Sequence, residues 1–466
     1  MTPLPPQPLS PLDGRYRQAV GALAEHLSEA GLNRARVHVE IEWLIHLTAH
    51  RLLGTEPLPP ETIDRLRAFA RDFGQEEIDW LAETEARLRH DVKSVEYLVR
   101  RELDALGLGS IAELTHFACT SEDINNLSYA LTVRAAITET WLPRLRGLIE
   151  DLSLLARSHR DVPMLSRTHG QPATPTTMGK ELAVFAFRLG RVADQVARTE
   201  YLGKFSGATG TFSAHLAAGP DVDWPTVSRE FVEGLGLTWN PLTTQIESHD
   251  WQAELYARVS HANRILHNLA TDVWTYISIG YFRQIPVAGA VGSSVMPHKI
   301  NPIRFENAEA NLELSSALLD SLASTLVTSR LQRDLTDSSS QRNIGVGLGH
   351  SLLAIDNLSR GLRELDLDLD ALAADLEGNW EVLAEAIQTV IRAEIVAGRS
   401  RISDPYAALK ELTRGRRVGR AELESFVAGL DIGEEARGRL LALTPGGYTG
   451  LAGALVDRLP GAGADR

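Results

Sequence analysis

The densest group of residues able to do chemistry lies in one stretch, Gly289 to Asn311, which reads GAVGSSVMPHKINPIRFENAEAN. Two adjacent serines, a lysine, an asparagine and a glutamate fall within it, separated by glycines and prolines. Glycine loosens the backbone and proline fixes φ, so the stretch predicts a loop that leads into a helix after Pro302. Both a functional lid and an ordinary interhelical loop fit this pattern.

Further polar clusters interrupt the predicted helices at distant points of the chain. They read SRTHGQP at 166–172, RHDVK at 89–93, FACTSEDINN at 117–126, SRLQRDLTDSSSQR at 329–342 and DGRY at 13–16.

Each cluster has a chemical and a purely structural interpretation. A histidine held in a turn by prolines, as at 169, can act as a general acid or can satisfy nearby backbone groups. Thr120 and Ser121 can cap a helix, and such a helix end also binds carboxylates. Arginines spaced among acids at 330–342 indicate a surface salt-bridge network, and their phosphate-binding role is what the family resemblance given below implies.

Composition excludes several classes of protein. The 466 residues suffice for two to four domains, and 44% apolar content supplies a full core. A net charge of −14 argues against a nucleic-acid backbone as partner, although local arginines and lysines can still hold a small anion. Cys119 is the single cysteine, which excludes an intramolecular disulfide. Residues 1–11 lack the apolar run of a signal peptide, and no apolar stretch is long enough to span a membrane, so we expect a cytoplasmic protein.

The distribution of glycine and proline predicts long helices. Neither residue occurs at 110–142, 242–279 or 303–344, where apolar residues recur at helical spacing, and strand signals are nearly absent. We predict an all-α fold with three helical domains: an N-terminal domain at 1–109, a central long-helix bundle at 110–364 and a C-terminal domain at 365–466. Helices of about 30 to 40 residues would measure roughly 45–60 Å and exceed what a compact monomer needs, which predicts a homo-oligomer.

The run SSVMPHKIN followed by Glu306 resembles the signature of the fumarase/aspartase superfamily. Within that superfamily the chain resembles the adenylosuccinate lyases of the longer bacterial type over nearly its whole length. The motifs that carry this resemblance are DGRY, HFACTSEDINNLS, LSRTHGQPATP, TTQIESHD, GSSVMPHKINP, RNIGVG and KELTRGRRV. One departure is the segment Ala393–Asp404, which looks longer than in close relatives and which we expect to affect the surface alone.

The resemblance implies a role for each matching residue. Ser293 would be the general base and His169 the general acid, with catalytic contributions from His90 and Glu306. The implied substrate-binding residues are Arg15, Tyr16, His90, Asp91, Thr120, Ser121, Thr168, Gln245, Ser294, Lys299, Asn301, Arg333, Ser338 and Arg342. Because lysine, amide and hydroxyl groups would stabilise the developing charge, we expect neither a metal nor another cofactor.

The implied activity is β-elimination of fumarate from two nucleotides of purine biosynthesis: adenylosuccinate, giving AMP, and the succinylated aminoimidazole-carboxamide ribotide (SAICAR), giving AICAR. The resemblance also implies a homotetramer in which three subunits contribute to each site, with no nucleic-acid or membrane partner. Fumarases, aspartases, argininosuccinate lyases and cycloisomerases share the signature, and the phosphate-binding elements separate the chain from the first three. Non-catalytic members or a helical scaffold would not need Ser293, Lys299, Asn301, His169 and Glu306 together.

Overall fold

The computed structural model describes residues 8–286, 296, 299–413 and 418–460, so both serines of the signature, Ser293 and Ser294, lie outside the described residues. Within these ranges the chain is mainly helical, which confirms the predicted all-α class. The tetrameric core stays a prediction.

Helices of very different lengths make up this described part. In chain order they are α1 (Arg17–Leu27), α2 (Glu29–Ala49), α3 (Pro60–Arg71), α4 (Gln75–Leu88), α5 (Asp91–Ala105), α6 (Ser121–Ala135), α7 (Leu142–Ser158), α8 (Met178–Ala197), α9 (Ser213–Ala218), α10 (Trp224–Gly234), α11 (Asp250–Ser278), α12 (Ile303–Leu326), α13 (Thr336–Gln341), α14 (Ile344–Arg363), α15 (Leu369–Glu377), α16 (Ala384–Val396), α17 (Pro405–Thr413), α18 (Arg420–Ala428), α19 (Glu434–Leu441) and α20 (Ala452–Val456). A π-helical segment, Ala136–Trp141, joins α6 to α7, and short 3-10 helices occur at Leu52–Gly54, Gly109–Leu114, Trp380–Leu383 and Pro445–Gly447.

Three two-stranded sheets accompany the helices within the described ranges. They are an antiparallel hairpin of β1 (Pro163–Thr168) and β2 (Gln171–Thr177), a parallel pair of β3 (Leu202–Gly203) and β4 (Thr238–Trp239), and an antiparallel pair of β5 (Phe282–Gln284) and β6 (Leu365–Leu367). The hairpin was not predicted, because its turn is formed by His-Gly and its second strand contains two prolines.

The prediction of one unbroken helix from 303 to 344 is wrong. α12 ends at Leu326, and α13 and α14 follow as separate helices. The side chains of Ser329 and Asp334 replace helical hydrogen bonds: Asp334 N donates to Ser329 Oγ (3.2 Å), and Arg330 N donates to Asp334 Oδ2 (3.0 Å). Such local side-chain acceptors compete with the helical backbone, and Leu331 adopts a positive φ of 53°.

The chain divides into two compact units. The first unit contains Met1–Leu145, Val192–Arg264 and Ala310–Asp356, and the second contains Arg146–Arg191, Ile265–Glu309 and Asn357–Arg466. Each boundary between them falls inside a long helix. The three-domain division at 109 and 364 stays a prediction.

Each unit has buried apolar clusters of its own. In the first unit the rings of Trp43, Phe205 and Phe231 pack together with centroids 4.4 to 5.0 Å apart. In the second unit Leu165 of β1 packs with Leu376 and Val382, which fixes the hairpin on α15 and the helix after it. A larger cluster around Trp380, Leu383, Ile387 and Ile391 forms the core of the C-terminal helices. Among the described helices, none is both long enough and apolar enough to cross a membrane.

Candidate active site

His169 lies at the tip of the β1–β2 hairpin in the second unit. Thr168 pairs with Gln171, so His169 and Gly170 form the two-residue turn. Their φ values are 53° and 74°, and positive φ at both central residues is what a type I′ hairpin turn requires. His169 and Thr168 are exposed there, so the structure presents the predicted acid to solvent on a rigid support.

Three side chains anchor the hairpin just before its tip. Arg167 Nη1 donates to the Tyr281 hydroxyl oxygen (2.8 Å) and Arg167 Nη2 donates to Asp375 Oδ2 (2.5 Å). The Tyr281 hydroxyl in turn donates to Asp375 Oδ2. Burial, reinforced by the Asp375 hydrogen bond, raises the pKa of Tyr281 to about 12, so the phenol keeps its proton and the network stays closed.

The second unit also holds the described residues of the signature. Lys299 N donates to Met296 O (3.0 Å) just ahead of α12, and Asn301 precedes the first residue of that helix by two positions. Glu306 lies in the first turn of α12, is exposed, and accepts a hydrogen bond from Trp274 Nε1 (3.2 Å). The predicted pairing of Glu306 with a histidine stays a prediction.

His90 belongs to the first unit, where it caps α5. Arg89 has a positive φ of 55°, and the His90 Nδ1 atom then accepts a hydrogen bond from Lys93 N (3.1 Å). Because Nδ1 acts as acceptor, the proton of the neutral imidazole sits on Nε2. The side chain of His90 is 53% exposed, so that N–H can reach a ligand.

Asp91 faces buried arginine rather than His90. Its Oδ2 accepts from Arg36 Nη2 (2.9 Å) and from Arg342 Nη2 (3.4 Å), whereas His90 Nδ1 is 4.0 Å from Oδ1. Burial alone would raise the pKa of Asp91, but the Arg36 guanidinium, the Val92 N–H and Arg342 outweigh it and hold that pKa below its usual value. Asp91 therefore stays ionised and links α2 and α5 to the Arg342 segment.

Thr120 and Ser121 stand at the N-terminus of α6. Thr120 is the residue before the helix, its backbone O accepts from Asp123 N (2.9 Å), and Thr120 N donates to Asp123 Oδ2 (2.8 Å). The Asp123 carboxylate therefore caps the start of the helix, which agrees with the structural interpretation of the cluster. It leaves the hydroxyl of Ser121 at a helix end whose N–H groups favour an anion.

A fully buried ion pair supports this helix end. Lys204 Nζ lies 2.8 Å from Asp123 Oδ1, and both side chains are 0% exposed. Asp123 also accepts from Ser206 N (2.8 Å) and Gly207 N (3.1 Å), and Lys204 Nζ donates to Gly207 O (2.7 Å). The carboxylate thus joins the Thr120 cap to the glycine-rich segment that begins at the end of β3, residues 203–220.

Arg333, Ser338 and Arg342 meet at one point of the first unit. Arg333 Nη2 donates to Ser338 Oγ (3.1 Å) and Arg342 Nη1 donates to Ser338 O (3.0 Å). The salt-bridge interpretation also holds: Arg333 Nη1 lies 2.7 Å from Glu122 Oε1, and Arg342 Nε donates to Glu29 Oε1 (2.8 Å). Arg333 thereby connects the Ser338 segment to the start of α6.

The remaining predicted binding residues of the first unit lie on loops and at α1. Gln245 Nε2 donates to Ala208 O (2.9 Å), which ties its loop to the glycine-rich segment. The Arg15 guanidinium lies over the Tyr16 ring, 5.9 Å from its centroid. Tyr16 packs beside the cluster of Leu12, Val20 and Leu353.

The predicted site residues therefore fall into two groups. In the first unit, Asp91, next to His90, forms ion pairs with Arg36 and Arg342. Glu122, in the helix that follows Thr120, forms an ion pair with Arg333. The second unit holds Thr168, His169, Lys299, Asn301 and Glu306.

Sequence reasoning missed the residues that support these groups. Lys204 has no motif around it, because a lysine after a glycine in a glycine-rich segment looks like surface. Arg36 had a signal that was not used: it is a charged residue among the apolar positions of α2, and it is only 2% exposed. Tyr281 and Asp375 are distant in sequence from Arg167, so only the fold brings them together.

Comparison with protein families covers most of the chain. Residues 14–313 match a family model described as lyase, and residues 329–449 match one described as adenylosuccinate lyase C-terminal. The chain is 48% identical over 453 residues to adenylosuccinate lyase of Escherichia coli (strain K12), covering 97% of this chain and 98% of that protein. It is 47% identical over 454 residues to adenylosuccinate lyase of Vibrio cholerae, with the same coverage.

Solved structures agree at the level of the fold. A fumarate lyase from Mesorhizobium sp. BNC1 superposes with a TM-score of 0.73 at 22% identity, covering 93% of this chain and 96% of that one. The 3-carboxy-cis,cis-muconate lactonizing enzyme from Pseudomonas putida gives a TM-score of 0.71 at 22% identity, with 94% and 96% coverage. Since the sequence identity to adenylosuccinate lyases extends over nearly the whole chain, this protein is a carbon–nitrogen lyase of the adenylosuccinate lyase family, in the fumarase/aspartase superfamily.

Proposed function

We propose that the protein catalyses the β-elimination of fumarate from adenylosuccinate, giving AMP, and from SAICAR, giving AICAR, in purine nucleotide biosynthesis. The observation that carries this proposal is the 48% identity to an adenylosuccinate lyase across 97% of the chain. The contacts of Arg333 with the Ser338 hydroxyl and of Arg342 with the Ser338 carbonyl support it, because two guanidinium groups at one serine suit a phosphate-bearing substrate.

The first chemical step is removal of a Cβ proton from the succinyl group by Ser293. A proton beside a carboxylate is weakly acidic, so the carbanion must be stabilised as an aci-carboxylate by fixed donors. Lys299, Asn301 and Gln245 supply ammonium and amide groups for this purpose, and Thr120 and Ser121 supply hydroxyls. The position of Ser121 at the start of α6 supports its part, because the unpaired N–H groups there add favourable potential for an anion.

The second step is cleavage of the C–N bond. The electron pair of the carbanion forms the C=C bond of fumarate, and the bonding pair to nitrogen leaves with the purine or imidazole product. His169 protonates that nitrogen. Its place at a hairpin tip braced by Arg167, Tyr281 and Asp375 supports this role, since a general acid must be held within hydrogen-bond reach of its target.

His90 and Glu306 assist, and Ser294, Thr168, Asp91, Arg15 and Tyr16 complete the substrate contacts. The exposed Nε2–H of His90 can donate to a phosphate oxygen or share the work of the acid. Glu306 orients and raises the basicity of a histidine of the site.

The working form in this proposal is a cytoplasmic homotetramer whose sites are shared between subunits. The length of α11 (29 residues) supports an oligomer, because long helices with apolar stripes on more than one face usually bury some of them against other subunits. Mixing inactive Ser293→Ala and His169→Ala proteins, followed by dissociation and reassembly, should restore activity, whereas each variant reassembled alone should stay inactive. No recovery in the mixture would contradict the shared site.

The substrate proposal is tested by measuring fumarate release from adenylosuccinate, SAICAR and argininosuccinate with purified protein. Release from the first two and not from the third is expected, because argininosuccinate carries no phosphate. Silence with both nucleotides, or release from argininosuccinate, would overturn the proposal.

A further inference from the structure

We propose that His46, His50 and Glu230 form a binding site for a divalent transition metal of the zinc class, in the first unit and apart from the residues of the elimination. One ligand atom from each of the three side chains lies within 4.8 Å of the other two. His50 Nε2 is 3.8 Å from Glu230 Oε2, and the imidazole centroids of His46 and His50 are 4.3 Å apart.

The local sequence explains why both imidazoles share one face. His46 lies in the last turn of α2, and His50 is the residue that directly follows this helix, with φ −85° and ψ 4°. Residues four apart on a helix are neighbours on its surface, the same spacing that places two zinc-binding histidines on one helix face in metalloproteases. Glu230 comes from α10, three residues after Val227.

A hydrogen bond to a backbone carbonyl already orients the imidazole of His46, as such bonds orient histidine ligands of metals. Its Nε2 lies 3.1 Å from Val227 O, and a carbonyl can only accept, so Nε2 carries the hydrogen and Nδ1 carries the lone pair. A stacked Trp43 ring (5.9 Å between centroids) and a tilted Phe231 ring (5.6 Å) hold the plane of the imidazole. Histidine ligands commonly donate their second N–H to a backbone carbonyl, and coordination through Nδ1 would keep this bond, whereas coordination through Nε2 would exchange it for the metal.

Small movements suffice to close the site on an ion. Ligands about 2.0–2.1 Å from a tetrahedral zinc stand roughly 3.3 Å from one another, which is less than the 3.8 Å between His50 Nε2 and Glu230 Oε2. The His50 and Glu230 side chains are 41% and 47% exposed, so their rotamers can adjust without disturbing the core. In the described part of the chain, His50 is the ion-pair partner of Glu230, and no arginine or lysine forms a salt bridge with that carboxylate.

The donor set selects the kind of ion. Two imidazoles and one carboxylate suit Zn²⁺, Co²⁺, Ni²⁺ or Cu²⁺, whereas Mg²⁺ and Ca²⁺ prefer oxygen ligands alone. Bound metal would join the C-terminus of α2 to α10, and the site would stabilise the first unit rather than take part in the elimination. The alternative without a metal is an ion pair between His50 and Glu230 beside a partly buried His46.

The test is a titration of the intact protein with ZnCl₂ by isothermal calorimetry at pH 7.5, with Co²⁺ absorbance as a second probe of coordination. His50→Ala should weaken the binding of one Zn²⁺ per chain at least tenfold, and Glu230→Gln should weaken it at least threefold. His261→Ala removes an exposed helical histidine of the same unit and is the matched control. This variant should bind Zn²⁺ with the same stoichiometry and affinity as the wild type.

Thermal unfolding independently measures whether bound metal stabilises the contact between α2 and α10. Zn²⁺ should raise the Tm of wild type and of His261→Ala but not that of His50→Ala, while fumarate release without added metal stays the same in all of them. Wild-type stoichiometry and affinity for Zn²⁺ in His50→Ala, or an equal rise of its Tm, would overturn the proposal.

Discussion

Replacing Lys204 by methionine should destabilise the protein far more than the loss of an ordinary lysine. The Lys204 and Asp123 side chains are both 0% exposed, and removing Lys204 leaves a buried carboxylate without its counter-charge. Breaking a buried pair from one side costs about 3–5 kcal/mol. Asp123 keeps backbone donors at Thr120, Ser206 and Gly207, which places the expected loss near the lower end of that range, at about 3 kcal/mol.

Lys204→Met should also lower kcat, because Asp123 holds the Thr120 cap at the start of α6. With the Asp123 carboxylate less firmly held, the start of α6 loses its fixed position and the hydroxyl of Ser121 is less well aligned. Misplacement of a positioned group by about 1 Å can reduce a rate by about 10²-fold, so kcat should fall more than KM rises. A substitution that only weakened the fold would leave the kcat of the folded fraction unchanged.

The assay is thermal unfolding at one fixed protein concentration, together with fumarate release at a temperature where each variant is folded. A loss of about 3 kcal/mol lowers Tm by roughly 6–12 °C, taking about 2–4 °C per kcal/mol for a large domain. Lys180→Met is the control, because the Lys180–Glu181 pair (2.9 Å) is 35% and 29% exposed and should contribute about 1 kcal/mol or less. Equal Tm values for the two variants would refute the reasoning.

Three further predictions concern pH dependence, phosphate binding and the hairpin. Burial lowers the pKa of His116, but the hydrogen bond and charge of Glu40 outweigh burial and raise that pKa above its usual value. The His116–Glu40 pair therefore stabilises the fold fully below about pH 6.5, and this stabilisation is lost as pH rises through the folded-state pKa. A Tm difference between wild type and His116→Gln that did not shrink from pH 6 to 9 would contradict this. Arg342→Lys should raise KM for adenylosuccinate about tenfold with little change in kcat, since a lysine cannot reproduce the guanidinium contact with phosphate; the steady-state constants decide, and an unchanged KM would count against a phosphate role. Tyr281→Phe removes a hydroxyl that bonds both Arg167 and Asp375 but leaves the direct Arg167–Asp375 bond, so kcat should fall about threefold to tenfold while Tm drops only a few degrees. A full wild-type kcat would show that the hairpin needs no such hydroxyl.

Long helical segments were predictable because their signal is simple. The run without glycine or proline from 110 to 142 contains α6 and the π-helical segment, and the run from 242 to 279 contains α11. The break between α12 and α13 was not predictable from breakers alone, because it depends on where the side chains of Ser329 and Asp334 point.

The site was predictable where a residue type is tied to a motif. Thr120 at the start of a helix agrees with what the sequence indicated, whereas phosphate binding by Arg333, Ser338 and Arg342 stays a prediction. The brace under His169 and the buried Lys204–Asp123 pair were not, because they join residues whose sequence separation is large and whose neighbours carry no pattern.

The central claim is that Ser293 removes the proton that starts the elimination. The measurement is single-turnover fumarate formation from adenylosuccinate with Ser293→Ala, with Ser294→Ala as the matched neighbour and substrate binding checked for both. The account predicts a loss of about 10²–10⁴-fold for Ser293→Ala with binding retained, and a much smaller loss for Ser294→Ala. Turnover within tenfold of wild type in Ser293→Ala, or the larger loss in Ser294→Ala, would contradict it.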